Sequence, residues 1–255
     1  MQEEKPAHRR VAFVTGASEG IGAAIALGLA RDGFDVAVSS RRAGRLANIV
    51  AQLTAAGARA AVVELDLASQ SSIEQAMAAA IGACGHVDVL VNNAAIPLHK
   101  LALEVTRAEW EALMETNLTG IFFLTQQMGR HLVASGRPGS IISIASTHGV
   151  VGLAKRSTYG IAKAAVMHMT KMLAIEWAEH GIRVNAIAPS TVETPSRAAA
   201  FAADPGMRDA LLSRIPLHRF CTTDEIAGAA RYLASPQAAY ITGHTLLLDG
   251  GLTSY

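Results

Sequence analysis

Short apolar runs alternate along the chain with longer segments whose apolar positions recur at helical spacing. Val11-Ala12-Phe13-Val14-Thr15 predicts a buried strand. After a glycine-bearing turn, Ile21, Ala24, Ile25, Gly28 and Leu29 mark one face of a helix that Asp32-Gly33 ends. Phe34 to Ser39 predicts a second strand, Ala43 to Ala56 a second helix, and Ala60 to Leu65 a third strand. Ser71 to Ala83 predicts a helix, Val87 to Val91 a fourth strand, and Arg107 to Ser135 one long helix. A fifth strand, Ser140 to Ala145, precedes a long helix from Tyr159 to His180 and a sixth strand from Ile182 to Ile187. Asp224 to Ala234 predicts a helix capped by Thr222 or Thr223, and Thr245 to Leu248 a last strand. Between Pro189 and about Phe220 the pattern is irregular and interrupted by Pro195, Pro205, Gly206 and Pro216.

Alternating strands and helices, with Val/Ile-rich strands, predict an α/β fold: a doubly wound parallel sheet covered by helices on both faces. A length of 255 residues allows one large domain or two small ones, at about 150 residues per domain. No linker, repeat or low-complexity tract divides it, so the expectation is a single domain over 11–255 behind a flexible segment, 1–10. The irregular stretch at about 190–220 reads as an insertion beside a site.

Composition narrows the function. Apolar types make up 51% and charged types 17%, against a usual charged share of roughly 25%. Net charge is +1, with no basic block, which argues against a nucleic-acid partner. The longest apolar run, Ile21 to Ala30, is about half the roughly 20 residues a membrane span needs. The polar start is unlike a secretory signal, so the expected location is the cytoplasm. Two cysteines, Cys84 and Cys221, make neither a disulfide framework nor a metal site.

The first strand runs into Thr15-Gly16-Ala17-Ser18-Glu19-Gly20-Ile21-Gly22 and then a helix. Glycines let backbone approach a ligand closely, and the helix start offers free N–H groups to a pyrophosphate. The spacing differs from the commoner Gly-x-Gly-x-x-Gly, but strand, turn and helix stand in the order that dinucleotide binding requires. Farther on, Tyr159 and Lys163 lie four apart in a helical segment and so share a face. A free phenol, with a pKa of about 10, is a poor base near neutrality, and a neighbouring ammonium lowers that value. Ser146, at the end of the fifth strand, is placed to hydrogen-bond a substrate oxygen; strand alternation favours it over Ser143.

These motifs together resemble the short-chain dehydrogenase/reductases of roughly 250 residues, over about residues 10 to 251. The resemblance implies a Rossmann-type fold and a cofactor loop formed by Gly16, Ser18, Glu19, Gly20, Ile21 and Gly22. It implies adenine contacts from Asp66 and Leu67. Asn92-Asn93-Ala94-Ala95 is similar to the family's Asn-Asn-Ala-Gly, with Ala95 in place of glycine, and implies that Asn93, Ala94 and Ala95 meet the cofactor. Pro189-Ser190 stands where Pro-Gly is usual, and Val192 and Thr194 would hold the nicotinamide carboxamide. Asn117, Ser146, Tyr159 and Lys163 fall on the family's catalytic four: Tyr159 as general acid/base, Lys163 also on the nicotinamide ribose, and the Asn117 carbonyl on a relay water. The family also implies a homotetramer and a mobile lid at about 190–220.

Cofactor choice follows from Ser39-Ser40-Arg41-Arg42 after the second strand. Relatives that prefer NAD usually carry Asp where Ser40 stands. Without that carboxylate, and with Arg41 and Arg42 available to a 2′-phosphate, NADP(H) is favoured and NAD(H) possible. Glu19 opposes this if its charge points inward. On the substrate side, Ser146, His148, Tyr159 and Ser190 are the expected contacts; Arg197, Arg208 and Arg214 suit an anionic substrate, and Phe201, Met207 and Leu211 an apolar one. No metal site is expected. The sequence thus predicts an NADP(H)-dependent oxidoreductase interconverting a small-molecule ketone and a secondary alcohol. The leading substrate classes are a 3-oxoacyl thioester and a sugar or polyol. The alternative is a catalytically silent nucleotide sensor or scaffold.

Overall fold

The computed structural model describes residues 9–254. A seven-stranded sheet in the order β3-β2-β1-β4-β5-β6-β9, parallel throughout, forms its centre. The strands are β1 (Val11–Val14), β2 (Asp35–Ser40), β3 (Ala60–Glu64), β4 (Val89–Asn92), β5 (Gly139–Ile144), β6 (Ile182–Pro189) and β9 (Thr245–Leu248). Strand alternation sends Ala12 and Val14 to one face and Val11 and Phe13 to the other. On the first face they pack with α1 (Gly20–Arg31), α2 (Ala47–Ala55) and α9 (Thr223–Ala234); on the second with α3 (Gln70–Cys84), α5 (Gly120–Ser135) and α6 (Ser157–Trp177). This is the doubly wound Rossmann-type sheet, and both faces are buried because each crossover helix must cover one. Strand order reverses between β1 and β4, where their C-terminal ends open a crevice.

Several elements differ from expectation. The long helix expected over 107–135 is two: α4 (Arg107–Met114) and α5, joined by one π-helical turn, Glu115–Thr119. There the Gly120 N–H reaches back to the Glu115 carbonyl, so the turn takes in one extra residue that helical periodicity does not reveal. A 3₁₀ turn, Ala43–Leu46, precedes α2, and another, Ala178–His180, follows α6. The stretch expected to be irregular holds α7 (Pro195–Ala203) and α8 (Pro205–Leu212), flanked by a parallel pair, β7 (Val192–Glu193) and β8 (Cys221–Thr222). Pro195 and Pro205 open these helices rather than break them, because proline's missing N–H goes unused in a first turn. Thr194 and Asp204 cap them by accepting from the Arg197 and Met207 amides.

The flexible segment expected at 1–10 lies, for residues 1–8, outside the described residues. Arg9 and Arg10 are held at the sheet: Arg9 pairs with Asp35 at 3.4 Å, and the Arg10 guanidinium lies 4.7 Å from the Phe34 ring centroid. Among the described residues no helix is long and apolar enough to cross a membrane, and no group of three or more His, Cys, Asp or Glu is placed to hold a metal.

Candidate active site

Backbone packing shapes the crevice. Gly16 has φ +63°, and a Cβ there would stand 2.9 Å from the Ala94 Cα, so the turn after β1 and the segment after β4 touch as bare backbone. The Asn93 amide group ties the two together, donating to the Thr15 and Gly16 carbonyls at 2.9 and 3.0 Å. Thr15 Oγ1 in turn accepts from the Asn93 and Ala94 amides at 2.9 and 3.0 Å.

Two cavities meet at this junction and share Ala95 and Ile96. The first, about 630 Å³, runs along the ends of β1, β2 and β3. Gly16, Ser18, Ser40, Asp66, Leu67, Asn93 and Ala94, all named above as candidate cofactor contacts, line it. So do Arg41 and Arg42, joined by Arg45, which sequence reasoning passed over because it lies beyond the strand-end motif. Ser40 Oγ donates to the Arg42 carbonyl at 2.6 Å and so shapes the turn carrying these arginines. Glu19 is absent from both cavity linings: it is exposed and pairs with Arg45 at 3.6 Å. The inward charge that would oppose a phosphate is therefore not present. Gly20 and Gly22 belong to neither lining, and Ile21 faces the second cavity.

That second cavity, about 500 Å³, is lined by Ser146, His148, Tyr159, Pro189, Ser190, Val192 and Thr194, all expected there. Arg156 and His99 also line it, with Arg197 from α7. Ser143, the rival serine, is fully buried and accepts from the Asn92 amide at 3.3 Å. Ser146 instead starts a 3₁₀ turn, Thr147–Gly149, that lies against α6. A Cβ on Gly160 would stand 2.6 Å from the His148 carbonyl, so that contact too depends on glycine. It brings Ser146 and Tyr159 to the same cavity wall and sets the His148 and Tyr159 rings edge to face at 6.3 Å.

Lys163 is buried one helical turn along. Its Nζ donates to the Ile144 carbonyl at 2.7 Å and lies 5.6 Å from the Tyr159 ring centroid. Desolvation pulls its pKa down to about 8. In the protein alone the net shift at Tyr159 is upward. Burial pushes the phenol above its usual range, and the charges that pull it back are Arg156 and Arg197, helped by the Ser146 hydroxyl. Asn117 sits in the π-helical turn, fully buried. Its side chain accepts from the Ile96 amide and donates to the Ile96 carbonyl, both at 2.8 Å. Asn117 thus pins the residue at which the two cavities meet, a role that residue type alone did not reveal.

The glycine-bearing turn, the Asn93 clamp and an open cavity with three guanidiniums fit a dinucleotide carrying phosphates. Comparison with known proteins agrees. A family model described as enoyl-(acyl carrier protein) reductase matches residues 16–253. The chain belongs to the short-chain dehydrogenase/reductase family. It is similar to a 3-oxoacyl-[acyl-carrier-protein] reductase of Synechocystis, 38% identical over 96% of this chain and 98% of that protein. Gluconate 5-dehydrogenase of Gluconobacter oxydans is 35% identical over 95% of this chain and 94% of its own length. A solved actinorhodin polyketide ketoreductase variant with NADPH superposes with a TM-score of 0.91 at 36% identity, covering 97% of this chain and 98% of that one. Family membership makes this short-chain dehydrogenase/reductase an oxidoreductase of the CH–OH/C=O class, and the silent sensor or scaffold finds no support among these relatives.

Proposed function

We propose that the protein is an NADP(H)-dependent reductase or dehydrogenase interconverting a ketone and a secondary alcohol, with Tyr159 as its general acid/base. The observation that carries this is the placing of Ser146 and Tyr159 on one wall of a cavity that meets the arginine-lined one at Ala95 and Ile96. Arg41 and Arg42 would bind the 2′-phosphate, while Asp66 and Leu67 flank the adenine. Gly16, Ser18, Asn93, Ala94 and Ala95 form the floor of the dinucleotide site, with Gly20, Ile21 and Gly22 closing the turn. Pro189, Ser190, Val192 and Thr194 bound the nicotinamide end. Bound there, NADP(H) supplies or accepts the hydride.

The chain's own groups handle the proton and the oxygen. Ser146 Oγ donates to the substrate oxygen and orients it, and the Tyr159 hydroxyl gives or takes the proton. Burial weakens the phenol as an acid but keeps it protonated, and an alkoxide formed during reduction is basic enough to take its proton. Arg156 and Arg197 lower the cost of the phenolate that remains. Lys163 holds the ribose beside Tyr159, and the Asn117 carbonyl holds the water that passes the proton toward solvent. His148, brought down to about 4 mainly by burial, stays neutral at working pH and offers a polar contact without charge. α7 and α8 serve as the lid over the substrate.

The two relatives named above favour a 3-oxoacyl thioester or a sugar-derived ketone as substrate. Exposed Ile161, Met172 and Ile175 on α6 and Val133 on α5 favour burial between subunits of a homotetramer. Two free cysteines suit the cytoplasm. The test is NADPH consumption over β-ketoesters, diketones and keto-sugars by wild type and Tyr159→Phe. Turnover lost in the variant while NADPH still binds supports the assignment. NADPH binding by wild type without turnover of any panel member refutes it.

A further inference from the structure

The cavity beside Tyr159 has a charge imbalance that proton transfer does not explain. Arg156 enters it from the start of α6, and Arg197 from the first turn of α7. No acidic residue lines this cavity. Elsewhere, Arg137, Arg219 and Arg231 each reach a carboxylate. Among the described residues neither Arg156 nor Arg197 has such a partner. Each lies instead near an aromatic ring, Arg156 at 5.9 Å from the Tyr159 centroid and Arg197 at 5.8 Å from that of Phe201.

The two guanidiniums also work against each other. Burial, then the charge of Arg197, brings Arg156 down to about 10. Both arginines disfavour protonation of His99 and His148, so the histidines add no counter-charge but stay neutral and polar. His148 Nδ1 is buried without a hydrogen-bond partner. Two half-buried like charges, neither of them ion-paired to a carboxylate, are unfavourable unless a ligand completes them. The guanidinium fork matches the oxygens of carboxylate or phosphate.

We propose that the substrate carries an oxyanion, a carboxylate or a phosphate, a few bonds from the reacting carbonyl, and that Arg156 and Arg197 bind it. This rests on the reading of Ser146 and Tyr159 as the groups that meet the carbonyl oxygen. Specificity is then set by two helix starts that the cofactor does not need. The arginines have a second effect, because the charges that hold the oxyanion also favour ionised Tyr159.

The test reads binding, so it does not depend on turnover. Protein saturated with NADP⁺ is titrated calorimetrically with three pairs: levulinate and its methyl ester, 5-ketogluconate and its methyl ester, and dihydroxyacetone phosphate and dihydroxyacetone. At least one anion is expected to bind about tenfold or more tighter than its neutral partner, and the pair that does so tells carboxylate from phosphate. The preference should shrink with added KCl and fall about fivefold or more in Arg197→Met and in Arg156→Met, with Arg197→Lys keeping part of it. Absence of any preference in wild type, or its survival in the double variant, overturns the proposal. If the Met variants do not fold, the salt series on wild type decides, and a preference indifferent to KCl overturns it. A protein that prefers an anion but reduces no ketone would defeat the proposed function and leave only the anion site at Arg156 and Arg197 standing.

Discussion

The two halves of the groove are built differently. The walls of the arginine-lined half begin at the ends of β1, β2 and β3, strands whose registers the sheet holds, and Gly16 meets Ala94 there as bare backbone. The Tyr159 half is walled by helix starts and turns: the 3₁₀ turn after Ser146, the first turn of α6, and α7 above it. The first half receives a ligand common to many enzymes, and its floor is close main-chain packing that a side chain at Gly16 would break. In the second, side chains decide the chemistry, so Arg156, Arg197 and His148 can set a substrate preference without disturbing the sheet. The same framework thus separates what a family shares from what one member does.

That contrast can be broken from either side. The largest effect is expected from Tyr159→Phe, which should lower kcat by roughly 10²–10⁴-fold, the usual share of general acid/base catalysis, with NADPH affinity retained in fluorescence titrations. A similar loss in NADPH affinity would mean that the halves are not separable. Next comes Arg41→Ala. Removing a charge-assisted contact worth about 1.5–3 kcal/mol should raise the Michaelis constant for NADPH by roughly 10–100-fold and leave that for NADH nearly unchanged. Equal rises would remove Arg41 from phosphate recognition. Asn93→Ala leaves the Thr15 and Gly16 carbonyls without their donor. It should cost about 1–3 kcal/mol in denaturant unfolding and weaken both cofactors together, unlike Arg41→Ala.

The most diagnostic effect concerns Lys163. Its pKa falls from 10.5 to about 8 on folding, so the unfolded chain binds the extra proton more readily than the native one. The penalty is complete below about pH 8 and is relieved as pH rises toward 10.5. Its size is about 3 kcal/mol, at 1.36 kcal/mol per unit, partly offset by the bond to the Ile144 carbonyl. In the absence of cofactor, Lys163→Met should therefore melt a few degrees higher than wild type at neutral pH, with the gap closing toward pH 10.5, while turnover is lost. A variant less stable at neutral pH would show that Lys163 supports the fold rather than straining it.

Much of this was legible in the residues. The strand–helix alternation gave the parallel sheet, the glycine spacing after the first strand marked the cofactor turn, and Tyr159 with Lys163 marked the site because helical geometry puts residues four apart on one face. Local patterns of that kind depend only on backbone period and residue type. The departures differ in cause. The extra residue at Glu115–Thr119, beside Gly120 packed on the Leu67 carbonyl, and the outward turn of Glu19 toward Arg45 depend on neighbours distant in sequence. The proline-started helices after Thr194 rest instead on local caps that the irregular pattern concealed.

Electrostatics shows the division most clearly. Sequence identified the phenol and its ammonium neighbour. Tertiary structure decided how deeply each is buried, and brought Arg156 and Arg197, 41 positions apart, to the same phenol. Residue order sets which charges exist; their energies depend on desolvation and on distances across elements, and both arise only once the sheet, α6 and α7 have packed around one cavity.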